Sequence, residues 1–483
     1  MRARWHSARR IDSARLRRLR SVCNSVDVDA TALIESAADW WPLGLRWARH
    51  DQVPALPEAV VTPQTLAELR DVLRVCNEER VPVTVAGGRS GVCGGAIPLH
   101  GGVALDMRAF DGLTALDDTS LLVDVAAGTN GAALEETLRR EHGVTLGHWP
   151  QSIALSTVGG WVACRAAGQY STRYGKIEDI VAGVEVVLAD GEVVRTGGMA
   201  NGGPRSATGP DLTQLVLGSE GTLGVVTSAR LRVHPLAAAE RRAAWSVPVF
   251  AAGLDAIRRT MRRGATPAVV RLYDAEEAQR NFGHDGALLI ALDEGDPAIV
   301  DASMGVLGAE CSEFAALGNE PVDHWYATRN DVSALGTVVE MGVVVDTVEI
   351  SAVWSQLPGL YEAAVRGLRD IEGTVAASAH QSHAYLDGAC LYFTFAGLGA
   401  GAENDGWAEL YYEAAWEVIM RATLAHRGSV SHHHGIGLLR GRYMPAALGE
   451  GFGVLRRLKT ALDPNGILNP GKLGLGPMPS LHD

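Results

Sequence analysis

Three adjacent histidines, His432, His433 and His434, lie within Ser431-His432-His433-His434-Gly435-Ile436-Gly437. Histidine titrates near neutrality, so it can take or return a proton during a reaction at pH 7. Three in succession cannot all face one way. One or two are expected to act, the other to pack or to hold a cofactor oxygen. As a metal site the run is poor: adjacent histidines seldom chelate one ion, and no carboxylate follows at i+4. Glycine is the second signal. Loops at 86–95, Ser156-Thr157-Val158-Gly159-Gly160 and Gly218–Gly224 are places where backbone N–H groups can converge on phosphate. Three such loops favour a large phosphate-bearing cofactor. None matches the nicotinamide fingerprint, and no GxxxxGK[ST] occurs, which argues against a nucleotide triphosphatase.

These loops need strands and helices to hold them. Thr62-Pro63 predicts a helix start, with Leu66, Leu69, Val72, Leu73 and Cys76 at helical spacing. Val81–Val85 reads as a short strand running into the first glycine loop. Leu121–Ala126 is a second strand, followed by a helix at Ala132–Arg140. Ile180–Leu188, the turn Asp190-Gly191 and Val193-Val194 read as a hairpin. Val225–Val233 is another strand, stopped by His234-Pro235. Beyond it come helix-length alanine-rich segments and strands such as Ala287–Leu292 and Cys390–Phe395.

The 483 residues suffice for two or three domains with proper cores, and 47% hydrophobic content excludes a disordered chain. No apolar run reaches membrane-spanning length. The six cysteines contain no CxxC pair, so a reducing cytoplasm is the simplest setting. Arginine far outnumbers lysine and alanine and glycine are abundant, as in a GC-rich bacterial genome. Net charge is −13, yet Arg2, Arg4, Arg9, Arg10, Arg15, Arg17, Arg18 and Arg20 crowd the start against Asp12 alone. An acidic body excludes a nucleic-acid partner. The basic start, with Ile11, Leu16, Leu19 and Val22 as an apolar stripe, could instead meet anionic lipid.

The blocks, in order, resemble a known superfamily. Val81-Pro82-Val83 with Gly87-Gly88, Ser90-Gly91 and Gly94-Gly95 is similar to the pyrophosphate loop of vanillyl-alcohol oxidase-type flavoproteins. Val123–Gly128, Ser156–Gly160, Tyr174–Val181, Asp190-Gly191 and Gly218–Gly224 follow in the same order, from about residue 55 onward. Four segments resemble the alkyl-dihydroxyacetonephosphate synthase branch. They are Ser156–Arg165 with Tyr174–Asp179, Gly203–Asp211, Arg271-Leu272-Tyr273-Asp274 and the triple-histidine run; Asp387–Phe393 is a further match. The resemblance implies an α+β fold with a two-subdomain, PCMH-type FAD-binding domain and a cap built on an antiparallel sheet with helices. The implied organisation is a basic segment at 1–27, the FAD domain at 28–236, the cap at 237–425 and a C-terminal segment at 426–483 returning the histidines to the flavin.

The same resemblance implies FAD, expected to be noncovalent because no histidine stands in the pyrophosphate loop to bond the flavin C8 methyl. It places cofactor contacts at Thr84-Val85-Ala86-Gly87-Gly88-Arg89-Ser90, Gln151-Ser152-Ile153-Ala154-Leu155-Ser156-Thr157, Cys164-Arg165-Ala166-Ala167 and Glu220-Gly221-Thr222-Leu223-Gly224-Val225-Val226, with Thr347 near the flavin. Tyr392 falls at the family's catalytic tyrosine, Arg271 at an arginine important for activity, and Arg329 at the substrate-phosphate arginine. His432, His433 and His434 match the three-histidine element. The implied reaction exchanges the acyl chain of acyl-dihydroxyacetone phosphate for a fatty alcohol through a flavin N5 adduct, without net redox. The rival is an FAD-dependent dehydrogenase or oxidase of a 2-hydroxy acid, of the D-lactate or glycolate type, using the same histidines. A third class is a flavin-binding scaffold without activity. Expected partners are lipid-like small molecules, a membrane surface on its cytoplasmic face and, as an open alternative, a second copy of the chain. Two departures stand out. Leu438 replaces a frequent lysine, and Arg89 replaces a usual threonine, adding a charge-assisted contact to the cofactor.

Overall fold

A computed structural model describes residues 1–5, 11–331, 342–399 and 405–477. Strands Ala59–Val61, Val103–Asp106 and Val83–Ala86 pair in parallel, and Val26–Asp27 adds an antiparallel edge. Helix Leu66–Glu79 covers this sheet, with Leu69, Val72, Leu73 and Cys76 fully buried at the spacing the sequence shows. It starts later than Thr62-Pro63 predicts. Thr65 is the cap, its hydroxyl accepting the Glu68 N–H at 3.2 Å, while the Glu68 carboxylate takes the Gln64 N–H and leaves Pro63 outside.

A second, antiparallel sheet runs in the order Val193–Arg195, Val181–Val187, Val225–Arg232, Leu122–Ala126, Leu113–Asp117. His234-Pro235 does not simply stop the chain: it pairs with Val144-Thr145.

The third sheet is antiparallel and seven-stranded, ordered Ala315–Leu317, Ala239–Val247, Ala287–Gly295, Val269–Tyr273, Thr374–Ala384, Gly388–Gly397, Val344–Val353. Alternation along its strands divides labour. Leu272, Phe393 and Phe395 are fully buried in the core that includes helices Phe250–Arg262, Leu357–Arg369 and Asp405–Ala425. Their neighbours Arg271, Tyr273, Tyr392 and Thr394 face a cavity toward the glycine loops. The chain finally returns to the first sheet. Ile467 accepts the Val83 N–H at 2.8 Å, and the Asn469 N–H donates to Val83 at 2.7 Å.

The described part of the arginine-rich start packs on the folded body. Arg2-Ala3 pairs with Gln52-Val53, and Trp5 packs against Trp41 and Trp47. In helix Ser13–Val22, Leu19 is fully buried against the core of the Leu66–Glu79 helix, and Val22, like Ile11 ahead of the helix, is partly buried there. Arg4 pairs with Glu409 at 2.7 Å, and Arg18 with Glu78 at 2.5 Å and with Glu79. Arg9 and Arg10 lie outside the described residues. Among the described residues no helix is long and apolar enough to cross a membrane.

Candidate active site

A cavity of about 730 Å³ lies between the glycine loops and the polar face of the seven-stranded sheet. At its floor the loops touch with no room for side chains. A Cβ on Gly87 would sit 2.2 Å from Thr157 Oγ1, and one on Gly88 1.8 Å from the Leu155 carbonyl. Arg89, Glu220 and Asn469 hold left-handed backbone there, with φ of 52°, 50° and 39°. Such conformations are costly for non-glycine residues and persist where surrounding contacts impose them. Those contacts come largely from the C-terminal return. The Asn469 amide donates to the carbonyls of Gly95 (3.2 Å) and Glu220 (2.7 Å), and buried Lys472 Nζ donates to Ile97 at 2.7 Å. Glu220 accepts the N–H groups of Ile436 at 2.5 Å and Gly437 at 2.8 Å, tying the histidine loop to the cofactor loops.

The floor fits a dinucleotide carrying phosphates. Thr157 Oγ1 and one Arg89 Nη are buried, line the cavity and have no protein partner. Burial lowers the Arg89 guanidinium from its ordinary value, an environment in which an anion is a favourable partner. Val85, Ala86, Gly87, Gly88, Arg89 and Ser90 line the cavity, as do Gln151, Ser152, Leu155, Ser156, Thr157, Cys164, Ala166, Ala167, Glu220, Gly221, Gly224, Val226 and Thr347. Seven expected contacts do not. Thr84 lies buried within its strand, Ile153, Leu223 and Val225 are core residues, and Ala154 faces elsewhere. Arg165 turns away to Leu217 and Gln214, and the fully buried Thr222 hydroxyl donates to Ser219.

The opposite wall carries acid–base groups. Tyr392 OH lies 2.8 Å from His433 Nε2. His433 and His434 line the cavity, whereas His432 stands behind them, its Nδ1 2.8 Å from His433 Nδ1. Burial holds His432 and His433 well below the ordinary imidazole value, reinforced by neighbouring histidines and Lys176, and holds His434 at about 4. Burial raises the Tyr392 phenol well above its usual range. All are therefore neutral at pH 7.

The loop's shape rests on Glu349, which the sequence reading missed. This fully buried carboxylate accepts from Arg440 Nη1 at 2.6 Å, Ser431 Oγ at 2.9 Å and the backbone N–H groups of His434 (2.8 Å) and His432. Burial alone would raise its pKa, but Arg440 and the histidines bring it far below the carboxylate range. Glu349, Cys390, His432 and His433 offer ligand atoms within 4.8 Å of one another, a grouping that no local spacing announces. Glu349 is already bonded to Arg440, and the two imidazoles to each other.

Arg271 and Arg329 form a basic end. Their guanidinium carbons lie 5.7 and 5.9 Å from the Trp325 ring centroid, and Arg329 also covers the Tyr326 ring at 3.7 Å. Among the described residues no carboxylate lies within ion-pair distance of either guanidinium, and both line the cavity. Asp274, adjacent in sequence to the Arg271 strand, instead accepts from Tyr361 and Ala379. Arg271 Nη2 lies 2.8 Å from His380 Nε2, and His380 Nδ1 2.8 Å from Glu277 Oε1. Arginine can only donate, so His380 Nε2 accepts and Nδ1–H donates to Glu277. The His380 ring stacks on Tyr392 at 4.5 Å and 16°, joining the cationic end to the proton-transfer end. His383, three residues on, should face the other way on a regular strand. A register shift between Ser382 and Ala384, and φ of 52° at His383, bring it into the cavity as well.

Residues 57–197 match a family described as FAD binding domain, and residues 236–473 one described as FAD linked oxidases, C-terminal domain. The uncharacterized FAD-linked oxidoreductase YgcU of Escherichia coli O157:H7 is 30% identical over 435 residues, covering 86% of this chain and 89% of that protein. Alkyldihydroxyacetonephosphate synthase of Dictyostelium discoideum is 29% identical over 464 residues, covering 88% and 74%. A solved alkyldihydroxyacetonephosphate synthase superposes with a TM-score of 0.81 at 25% identity, over 97% of this chain and 88% of that one.

Proposed function

From the premise that the chain belongs to the FAD-linked oxidase family, within the PCMH/VAO-type flavoproteins, with FAD as its cofactor, we propose an alkyl-dihydroxyacetonephosphate synthase-like activity. It would exchange the acyl chain of acyl-dihydroxyacetone phosphate for a fatty alcohol, releasing the fatty acid. The observation that carries this reading is the pairing of two arginines that have no ion-pair partner among the described residues with a neutral Tyr392–His433 couple in one cavity.

Arg271 and Arg329 would bind the phosphate. A dianion calls for permanent multidentate cations, and Trp325 beside both guanidiniums keeps that end partly apolar. Glu277, through His380, fixes the direction in which Arg271 points. FAD, when bound, supplies the reactive flavin centre. Gly87, Gly88, Thr157 and Arg89 would hold its pyrophosphate. Tyr392 takes or returns the substrate proton, with His433 as its hydrogen-bond partner. Neutral His433 is in the form that can accept a proton at pH 7. The enzyme's partners would be lipid-like small molecules.

A second reading draws support from the oxidase family itself and from Leu438, which departs from the synthase pattern. A 2-hydroxy acid would place its carboxylate on the same arginines and its hydroxyl at Tyr392. Product analysis separates the two. Purified FAD-loaded protein is incubated with acyl-dihydroxyacetone phosphate and a fatty alcohol, and the ether product and free fatty acid are measured. Formation of both in equal amounts supports the exchange. No ether product, with oxidation of a 2-hydroxy acid, supports the dehydrogenase.

A further inference from the structure

Tyr392 and His433 belong to a larger assembly. Ser171 Oγ lies 2.7 Å from His383 Nδ1, and His383 Nε2 lies 3.2 Å from Tyr392 OH. From Tyr392 the path runs to His433 Nε2 at 2.8 Å, and from His433 Nδ1 to His432 Nδ1 at 2.8 Å. His432 Nε2 lies 2.9 Å from Tyr385 OH, which lies 3.5 Å from Ser171 Oγ, where the path began. Six side chains thus close a circle. It crosses between the two halves of the molecule: Ser171 belongs to the cofactor half, His383 and Tyr392 to the cap sheet, and Tyr385 to the turn joining their two strands.

We propose that Ser171, His383, Tyr392, His433, His432 and Tyr385 form a one-way ring of hydrogen bonds that takes up and returns the substrate proton exchanged at Tyr392. The proton-uptake role rests on the reading of Tyr392 given above; the ring itself does not. Three hydroxyls and three neutral imidazoles carry one mobile proton each, so six protons serve six bonds. Burial favours this neutral state, lowering all three imidazoles and raising both phenols. Every member then donates once and accepts once, and the bonds can run in either sense. Reversal moves each proton across one bond and changes no charge, and polarisation around such a chain strengthens its bonds.

When substrate gives up its proton, the electron pair stays with the substrate and the proton forms a bond to Tyr392 oxygen. The former hydroxyl proton passes to His433 or His383, and the ring then holds one imidazolium shared among three rings. Glu349 Oε2, 3.9 Å from His433 Nδ1, faces this charge, against Lys176, Arg271 and Arg440. The returning proton reverses the steps. Ser171, His383, His432 and Tyr385 are positioning residues in this scheme, because they act through Tyr392 and His433.

The geometry imposes a rule on tautomers. In one sense, His383 and His432 carry the proton on Nε2 and His433 on Nδ1; in the other, all three are reversed. His383 and His432 must therefore agree and His433 must differ. Two variants should drive the ring to opposite senses. In Ser171→Ala, His383 Nδ1 loses its partner, so the proton settles on Nε2 and sets His433 to Nδ1–H and His432 to Nε2–H. In Tyr385→Phe, His432 Nε2 loses its partner, so His432 becomes Nδ1–H, His433 Nε2–H and His383 Nδ1–H.

The test is two-bond proton–nitrogen correlation on the resting holoenzyme carrying ¹⁵N-histidine, with resonances assigned by single histidine replacements. The expected result is the paired rule in the parent protein and opposite tautomer sets in Ser171→Ala and Tyr385→Phe. Agreement of His433 with its neighbours, the same set in both variants, or a histidinium in the ring at pH 7 would overturn the ring. This readout needs no substrate, so it stands apart from the success of the acyl exchange. Uptake of the substrate proton is tested with whichever substrate the protein turns over. The solvent deuterium effect on kcat should change in both variants while KM holds; an unchanged effect refutes the proton-storing role.

Discussion

Glu349→Gln is the perturbation that the structure specifies most fully. The side chain keeps its shape but loses its charge, leaving fully buried Arg440 without a counter-ion. Removing one partner of a buried pair costs about 3–5 kcal/mol. The amide must also turn its NH2 toward one set of donors. The less damaging choice keeps oxygen toward Arg440, Ser431 and His434 and sets NH2 against the His432 N–H. That opposed pair of donors adds about 1 kcal/mol or more. A loss of about 4–6 kcal/mol is comparable with the whole stability margin of many domains. Because His433, His434 and Gly437 of the same loop line the cofactor cavity, flavin retention should fall with stability. Urea unfolding followed by protein and flavin fluorescence measures both. The double variant Glu349→Met/Arg440→Met removes both charges and should recover much of the loss. A single variant within about 1 kcal/mol of the parent, or a double variant worse than the single, would show that Glu349 is not the counter-ion on which the loop depends.

Tyr392→Phe should lower kcat by about 10²–10⁴ with FAD still bound, as expected for loss of a proton-transfer group, which steady-state kinetics and the flavin spectrum check together. Arg271→Ala should weaken binding of an anionic substrate, raising KM more than it lowers kcat, whereas Glu277→Gln should do so more mildly because it acts through His380. Gly88→Ala, whose Cβ would meet the Leu155 carbonyl, should yield folded protein depleted of FAD, seen as a lost absorbance band at matched circular dichroism. His434 titrates at about 4 in the fold against about 6.5 unfolded, so the stability it confers is complete above pH 6.5 and declines as pH falls toward 4. The unfolding midpoint of His434→Gln should therefore depend less steeply on pH in that window, by about 1.4 kcal/mol per pH unit at most.

Much of the cofactor end was legible because local chemistry specifies it. Gly87 and Gly88 advertise a close backbone approach, and the Val81–Val85 run and the Asp190-Gly191 turn follow period and turn rules directly. Strand alternation places Tyr392 and Thr394 toward the cavity and Phe393 and Phe395 in the core. What escaped was long-range. Glu349 lies 91 residues from Arg440, and Ser171 lies 212 residues from His383, so no local spacing links either pair. His383 was hidden by a bulge that breaks the two-residue period. Seven expected cofactor contacts do not line the cavity: whole segments were carried over, while core packing and local hydrogen bonds turn some of their side chains elsewhere. The packing of the basic start was hidden for a similar reason: helix Ser13–Val22 sets Leu19 and Arg18 against the neighbouring helix, and sequence does not reveal that partner.

The proposed activity has Tyr392, His433 and the two arginines serve an exchange rather than a net oxidation. Anaerobic mixing of the FAD-loaded protein with acyl-dihydroxyacetone phosphate and fatty alcohol, followed by flavin absorbance, tests it most directly. The expected result is a transient change that returns to the oxidised spectrum as ether product forms, with 2-hydroxy acids leaving the spectrum unchanged. Lasting bleaching by a 2-hydroxy acid, with no response to the acyl substrate, would contradict it.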